Sequence, residues 1–316
     1  MDARITKQRL GNLLSYDWLK IVGIIIAAAA LISVLFTMIR TRPKDYQEYQ
    51  VFYYGDVVMT QEGSASLKDE LEKRFSFDIL EVTSEGFTEA RMGSAAFVAR
   101  RGVLEGSVFF LSDFSASEDE KSDFATMCTN GLAAPGTPSE AMGMFCELPA
   151  YFEELEGYLV RFFGEEWRTG TLDEAEARAC FLARDSKDKR FKTAAQKETG
   201  VSLECERLNT LRENYLYVLE HGFEAGVGNA DSTLSFTDFV SDGYDTAEGH
   251  VDCAYPVGID LSKFNRITDL CYYLDADGHQ AKQKLELLIF NNGSAFADMR
   301  YETVTLLRYL LETYDA

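Results

Sequence analysis

An uninterrupted apolar run from Leu19 to Ile39, LKIVGIIIAAAALISVLFTMI, carries a single charge, Lys20, at its edge. About 20 such residues in a helix match the hydrocarbon thickness of a bilayer. A signal-peptide core has roughly 7 to 15. Arg40, Thr41, Arg42, Pro43 and Lys44 follow the run where a small-residue cleavage site would stand. The pattern predicts a cytoplasmic tail over 1–18, an uncleaved membrane helix over 19–39, a linker over 40–48 and one large domain over 49–316. Arg4, Lys7, Arg9 and Lys20 precede the span and Arg40, Arg42 and Lys44 follow it, so basic residues favour a short inner tail by one charge only. The expected location is the cell membrane, single-pass, with the C-terminal domain extracellular.

Residues 1–44 contain seven basic and two acidic side chains, which leaves 24 basic against 50 acidic, a net of −26, for the rest. Such a domain repels phosphate backbones and anionic lipid, which excludes a nucleic-acid partner. The acidity fits a soluble, self-repelling surface, with calcium or a basic partner as the sharper readings. The chain's 22 Phe and 16 Tyr, all but Phe36 and Tyr16 within this domain, beside only five Pro, suffice for one large core or two lobes. Six cysteines, Cys128, Cys146, Cys180, Cys205, Cys253 and Cys271, contain no C-x-x-C pair. Their spacing leaves bridges and buried thiols equally open.

Along the chain, Tyr49 to Met59 (YQVFYYGDVVM) reads as a strand broken at Gly55 and Asp56. Ser66 with Asp69 predicts a helix start, with Leu67, Leu71 and Phe75 on one face. Phe77 to Thr83 reads as a strand ended by Ser84, Glu85 and Gly86; Thr88 to Arg101 reads as a helix and Gly106 to Ser112 as a strand. This alternation of nearly unbroken apolar strands with helices predicts an α/β fold with a mainly parallel sheet covered on both faces. The middle segment is expected to be helical, with starts at Ser117, Thr137 and Thr171. Arg184 to Lys197 is polar and basic, as in a surface excursion. Ser202 to Glu220 predicts an amphipathic helix stopped by Gly222. Residues 222–252 read as loop, with Thr233 to Val240 the one strand candidate. Leu285 to Phe290 predicts a buried strand, and Asp298 to Tyr314 a closing helix.

The segments YQVFYYGDVV, SLKDELEKRF, FDILEVTSEGF, TEARMGSAAFVARRG and GSVFFLSD together resemble the opening of an extracellular solute-binding protein of the type II periplasmic-binding kind. Over the whole length, LSYDWLKI near the start and LLIFNN with YETVTLLRYLLETY near the end resemble bacterial single-pass membrane-anchored proteins. The resemblance implies a β-α-β-α-β unit opening the first lobe, a carbohydrate or other small solute as ligand, and a transporter as partner. The chain departs from that family in lacking a lipid-attachment cysteine near the apolar run and in the small size of its domain.

No G-x-S-x-G elbow, Walker loop, H-E-x-x-H or Cys/His metal spacing occurs in the sequence, so a non-enzyme without cofactor or metal is expected. Asp275-Ala276-Asp277-Gly278 resembles a calcium loop, but no Glu stands at the twelfth position, and a plain turn is the expectation. In open α/β sheets ligands sit beyond the carboxyl ends of the strands. That rule selects Tyr54, Gly55 and Asp56 after the first strand, Glu85 after the second, and Ser112 and Asp113 after the third. Tyr255, Trp167 or Tyr244 would supply an aromatic platform for a sugar. A membrane-anchored solute-binding-like protein is the leading expectation. The other is a ligand-free interaction module of the cell envelope.

Overall fold

The computed structural model describes residues 18–39, 43, 47–55, 57–87, 93–112, 144–184, 188–246, 249–275, 277–292 and 299–315. The chain divides into two units, Met1–Lys44 and Asp45–Ala316. In the first, α1 (Trp18–Ile39) is a 22-residue helix. At 1.5 Å per residue it is about 33 Å long. Its described side chains are exposed and run unbroken only from Val22 to Val34. Among the described residues, no helix is long and apolar enough to cross a membrane.

The second unit is mixed α/β. It opens with β1 (Glu48–Tyr54), β2 (Val57–Met59), α2 (Gln61–Arg74), β3 (Glu81–Phe87), α3 (Gly93–Arg101) and β4 (Val108–Ser112). Three helices follow, α4 (Leu148–Phe163), α5 (Glu174–Ala183) and α6 (Ala194–His221). The chain ends with β5 (Phe236–Thr246), β6 (Gly249–Asp260), β7 (Cys271–Leu274), β8 (Gln280–Ala281), β9 (Leu285–Ile289) and α7 (Thr303–Tyr314). The main sheet has the order β3-β1-β4-β9-β6-β5, and β2-β7-β8 forms a smaller one. β1 pairs in parallel with both β3 and β4, whereas β9, β6 and β5 join antiparallel. The mainly parallel expectation therefore holds for the first three strands and gives way at β9, which arrives from the far end of the chain.

Alternate residues of the central strands go to opposite faces, and both faces are buried. Tyr49, Val51, Val108, Phe110, Leu285, Leu287 and Ile289 join a large core with α2, α4, α6 and α7. Phe52, Tyr54, Phe109, Leu111, Leu288 and Phe290 join a second core with Phe87, Phe97, Phe145 and Val257. This double burial is why the strands read as continuous apolar runs. Phe97 is the only residue of α3 in the second core, where it meets Phe87 at 5.5 Å, Phe109 at 5.4 Å and Phe290 at 6.0 Å.

Several boundaries differ from the sequence reading for local reasons. α2 starts six residues ahead of Ser66, because Thr60 Oγ1 accepts from Gly63 N–H at 2.9 Å and donates to the Asp269 carbonyl at 2.6 Å. Gly63 permits this, since a Cβ there would stand 2.7 Å from the Leu270 backbone. β3 begins at Glu81, because Asp78 is held by Arg184 at 2.5 Å, and it runs on through the expected turn at Ser84 to Gly86. α6 starts at Ala194 with a Thr193–Gln196 capping box and stops at Gly222 as expected. α5 is capped by Asp173, two residues after Thr171. The helix starts expected at Ser117 and Thr137 lie outside the described residues.

Residues 222–252, expected to be mostly loop, contain most of a long hairpin, β5–β6. β6 pairs with β9 only over Gly258–Asp260. Beyond Leu288 the same edge of β9 is taken by Phe145: Cys146 N–H donates to Ile289 O at 2.9 Å and Asn291 N–H to Met144 O at 2.9 Å. The first of two register shifts in β5–β6 falls at Val257, next to Pro256, which has no N–H to give. From there the hairpin continues as a two-stranded ribbon.

Replacing Phe97 by Ala removes the one aromatic side chain with which α3 closes the second core, and should cost about 3–5 kcal/mol. A urea midpoint unchanged from that of the native protein would contradict this packing.

Candidate functional site

At the carboxyl ends of the parallel strands, Tyr54, Phe87 and Leu111 are buried, and the first two pair directly. Tyr54 belongs to the second core. Gly55 has φ +68°, with nothing within 4 Å of the position a Cβ would take, and its N–H donates to Phe87 O at 3.1 Å. It is the left-handed residue that turns β1 into β2. Glu85 is half-exposed and pairs with Arg100 at 3.0 Å, and Ser112 closes β4 half-buried. Asp56 and Asp113 lie outside the described residues.

Tyr255 does not join this group. Through Glu286, Asp260 is the β6 residue level with Leu111, and Tyr255 stands five residues earlier, paired with Phe239 in the ribbon. That separation is about 16 Å of strand. Trp167 is buried and stacks on Tyr215 at 5.5 Å, so it is core and not a platform. The Tyr244 backbone lies in β5.

A hollow opens at the other end of the strands. It is shallow and open to solvent. Glu48, Tyr49 and Gln50 line it from β1, Leu104 to Ser107 from the approach to β4, and Ile79, Phe290, Asn292, Met299 and Arg300 from the remaining sides. Gln50 Oε1 accepts from Gly106 N–H at 2.7 Å, its amide donates to Glu48 at 3.0 Å, and Asn292 donates to Gly106 O at 2.8 Å. Leu104 adopts φ +61°, a conformation non-glycine residues avoid, and Gly106 φ +99°. A Cβ on Gly106 would meet the Phe290 and Phe52 rings at 2.8 Å. Arg101 lies over Phe290 at 4.1 Å, donates to Asn292 at 2.9 Å, and also bonds the Glu105 carbonyl.

Arg300 pairs with Glu154 and reaches Tyr301 Oη at 3.1 Å, while its Nε has no hydrogen-bond partner among the described residues. The last carbonyls of α3 are closed by the backbone N–H groups of Gly102 to Glu105, so the acceptors of the hollow are side chains. Glu48 and Glu105 supply them. The arrangement suits a small, neutral or cationic solute rich in hydroxyl or amino groups, against the apolar side chains of Ile79, Leu104 and Met299. Sequence reasoning missed this site because its residues come from chain positions as distant as Glu48 and Arg300. The two legible signals were Gly106 and the polar Asn291-Asn292 pair directly after a buried strand.

The most concentrated charge is buried at Arg207, Glu204 and Glu302 and reaches the surface at Arg184. Arg207 contacts Glu204 at 2.9 Å, Glu302 at 2.8 Å and Tyr158 Oη at 2.5 Å, and Arg184 bridges Glu204 at 2.7 Å to Asp78 at 2.5 Å. Burial opposes ionisation of Glu204, but Arg207 and Arg184 outweigh it and hold that carboxyl below its usual range. Burial raises the Glu302 carboxyl in spite of Arg207. Each of these charges is matched by a partner within the cluster, which makes the cluster structural. Asp275, Asp277 and His279 are exposed and close together, but Asp275 Oδ1 accepts from the backbone of Asp277 and His279 at 3.0 and 2.8 Å, as in the expected turn.

Cys146, Cys180, Cys205 and Cys271 are free thiols, the first and last buried. Burial pushes the Cys146 thiol up to about 12 and also raises Cys271. No family model, curated protein or solved structure matches this chain.

Because the folded pKa of Glu302 is raised, the native state binds its proton more tightly than the unfolded chain, and this residue's contribution to stability falls as pH rises above the ordinary 4.5. Glu302→Gln should therefore gain stability relative to the native protein as pH increases from about 4.5; a pH-independent difference in urea titrations would refute the raised pKa. In native protein, Cys146 and Cys271 should resist a thiol reagent that labels both once urea is added. Rapid labelling of either in the folded state would show that its enclosure is wrong.

Proposed function

We propose that this chain is a single-pass membrane protein whose extracellular α/β domain captures or senses a small solute, without catalysis, in association with a transporter. The observation that carries the solute reading is the hollow at the amino ends of β1 and β4, where Glu48, Gln50, Glu105, Asn292 and Arg300 converge beside apolar side chains. Ligand sites have this composition: a concave, largely apolar wall with a few placed polar groups. A carbohydrate is the preferred class, since its hydroxyls both donate to the carboxylates and accept from Arg300 and the amides. The backbone strain at Leu104 lies on the wall of the same hollow, as strain at functional sites commonly does.

Support for the anchor comes from α1, whose 22 residues hold one charge. The β1-α2-β3-α3-β4 order with parallel pairing agrees with the opening unit of solute-binding proteins, and Asp45–Ala316 clusters as one unit, without a separate second lobe. The second reading, an interaction module, is favoured by a different element, the β5–β6 ribbon.

A thermal-shift screen of the full chain in detergent, against mono- and oligosaccharides, amino acids and polyamines, tests the solute reading. A ligand at 100 times its dissociation constant adds about 2.7 kcal/mol, which raises the midpoint by several degrees. Glu105→Gln and Asn292→Ala should each weaken that ligand roughly tenfold, the equivalent of about 1.4 kcal/mol. A ligand that binds both variants with native affinity would remove the hollow as its site.

A further inference from the structure

We infer that the β5–β6 ribbon is a docking edge for an extended, basic segment of a partner protein, which adds to β5 as a third strand. The inference is independent of the hollow and of any solute. β6 leaves the main sheet at Val257 because Phe145 occupies the next stretch of β9. Gly249 to Val257 therefore run on with β5 alone. Nine residues of strand project about 30 Å. Among the described strands, β5 pairs with none but β6 and forms one end of the sheet order.

A two-stranded ribbon is marginally stable in water, and a third strand supplies the backbone partners it lacks. Proteins that leave such an edge open without a partner usually protect it with charged side chains, above all lysine, with proline or with a bulge. β5 has no lysine or proline; its protection is Asp238, Asp242 and Asp245 with a register shift, and a basic strand turns that acidic repulsion into attraction. The β5 sequence, FTDFVSDGYDT, begins with aromatic and β-branched residues that favour pairing. The one irregularity within the ribbon is the register shift between Ser241 and Tyr244, beside Gly243, which leaves Asp238 to Ser241 as a regular run.

Charge selects the occupant. From Phe236 to Asp260 the chain has Asp238, Asp242, Asp245, Glu248, Asp252 and Asp260 and no Lys or Arg. A second copy of the chain would bring the same acids against these, and like charges facing across strands are destabilising. A strand carrying Lys or Arg pairs with the ribbon both along the backbone and by charge, the main-chain bonds giving affinity and the side chains specificity.

The full chain in detergent is titrated with a labelled synthetic peptide alternating Lys with Val over about ten residues, a length that spans the ribbon. Two controls are the same peptide with two central Val replaced by Pro and a version with Glu in place of Lys. The basic peptide should bind, more weakly as salt rises, and should slow amide exchange within Phe236 to Thr246; each control should bind at least roughly tenfold more weakly. The variant D238K/D245K/D252K should lose the basic peptide and gain the acidic one, whereas charge reversal of the exposed Glu153, Glu213 and Glu220 should change neither. Equal binding of the Pro control, or protection of amides elsewhere, would reduce the effect to general acidity and overturn the inference. A chain that sediments as a dimer with those amides already protected would assign the edge to a second copy, and would overturn it as well.

Discussion

β9 is the strand on which the rest of the second unit depends. All five of its residues are buried, and it is the only described strand that joins the parallel group β3-β1-β4 to the hairpin β6-β5. Its contacts close a loop of about 180 residues, from Phe109 against Leu288. Loop-closure entropy grows only slowly with such length, so the cost falls mainly on folding rate rather than on stability. The antiparallel entry of β9 also decides what happens at the amino end of the sheet. Phe290, one residue past the strand, takes Ser107 on one side and Phe145 on the other, and the Phe145 ring stacks on it at 5.1 Å. The hollow and the ribbon are both consequences: one opens beside Phe290, and the other exists because Phe145 has displaced β6.

The enclosed charges around Arg207 serve a different purpose. Removing either carboxylate partner from a buried guanidinium leaves uncompensated charge, whereas an apolar replacement of the whole cluster can be neutral. What the cluster does here is join segments distant in sequence. Asp78 precedes β3, Tyr158 lies on α4, Arg184 follows α5, Glu204 and Arg207 lie on α6, and Glu302 precedes α7. Each pairing fixes how a helix sits against the sheet, which apolar contacts alone leave less determined. It also accounts for Arg184 to Lys197, which reads as surface in sequence. Arg184 and Arg190 are drawn inward by Asp78, Glu204 and the Phe77 carbonyl, the last at 2.6 Å from Arg190.

Legibility in the sequence followed local physics. The break at Gly55 was readable because a left-handed backbone is set by the glycine itself, as was Leu285 to Phe290 because a fully buried strand must be apolar throughout; Gly222 stops α6 with a right-handed backbone and makes room for Leu234. The start of α2 was hidden, since Thr60 and Gly63 are explained by Asp269 and Leu270, some two hundred residues away. The ribbon was hidden for the opposite reason. Asp, Ser and Gly recur along β5, so neither alternation nor an apolar run betrays it. Of the expected site, Tyr54 and Trp167 are packing residues and Gly55 is a turn. The residues of the hollow were unreadable as a set because nothing local connects Gln50, Glu105 and Asn292.

The carboxyl-end rule presupposes a sheet in which each strand feeds a helix on its way to a parallel neighbour, so that helix N-termini and loops gather at one end. Here that holds for β1, β3 and β4 alone. Beyond β4 the sheet alternates direction, and β9 and β5 run opposite to the parallel group. The end that would ordinarily be sealed by tight helix-to-strand turns instead receives the close of α3, the strained Leu104 to Gly106 connection and the chain leaving β9 at Asn291. A connection that needs a positive φ at a leucine cannot be sealed by packing alone, and Gly106 keeps the Phe290 ring close beneath it. Reversal of strand direction at β9 thus brings Asn292 and the Leu104 to Gly106 connection together at the amino end, where Glu48 and Glu105 stand as acceptors.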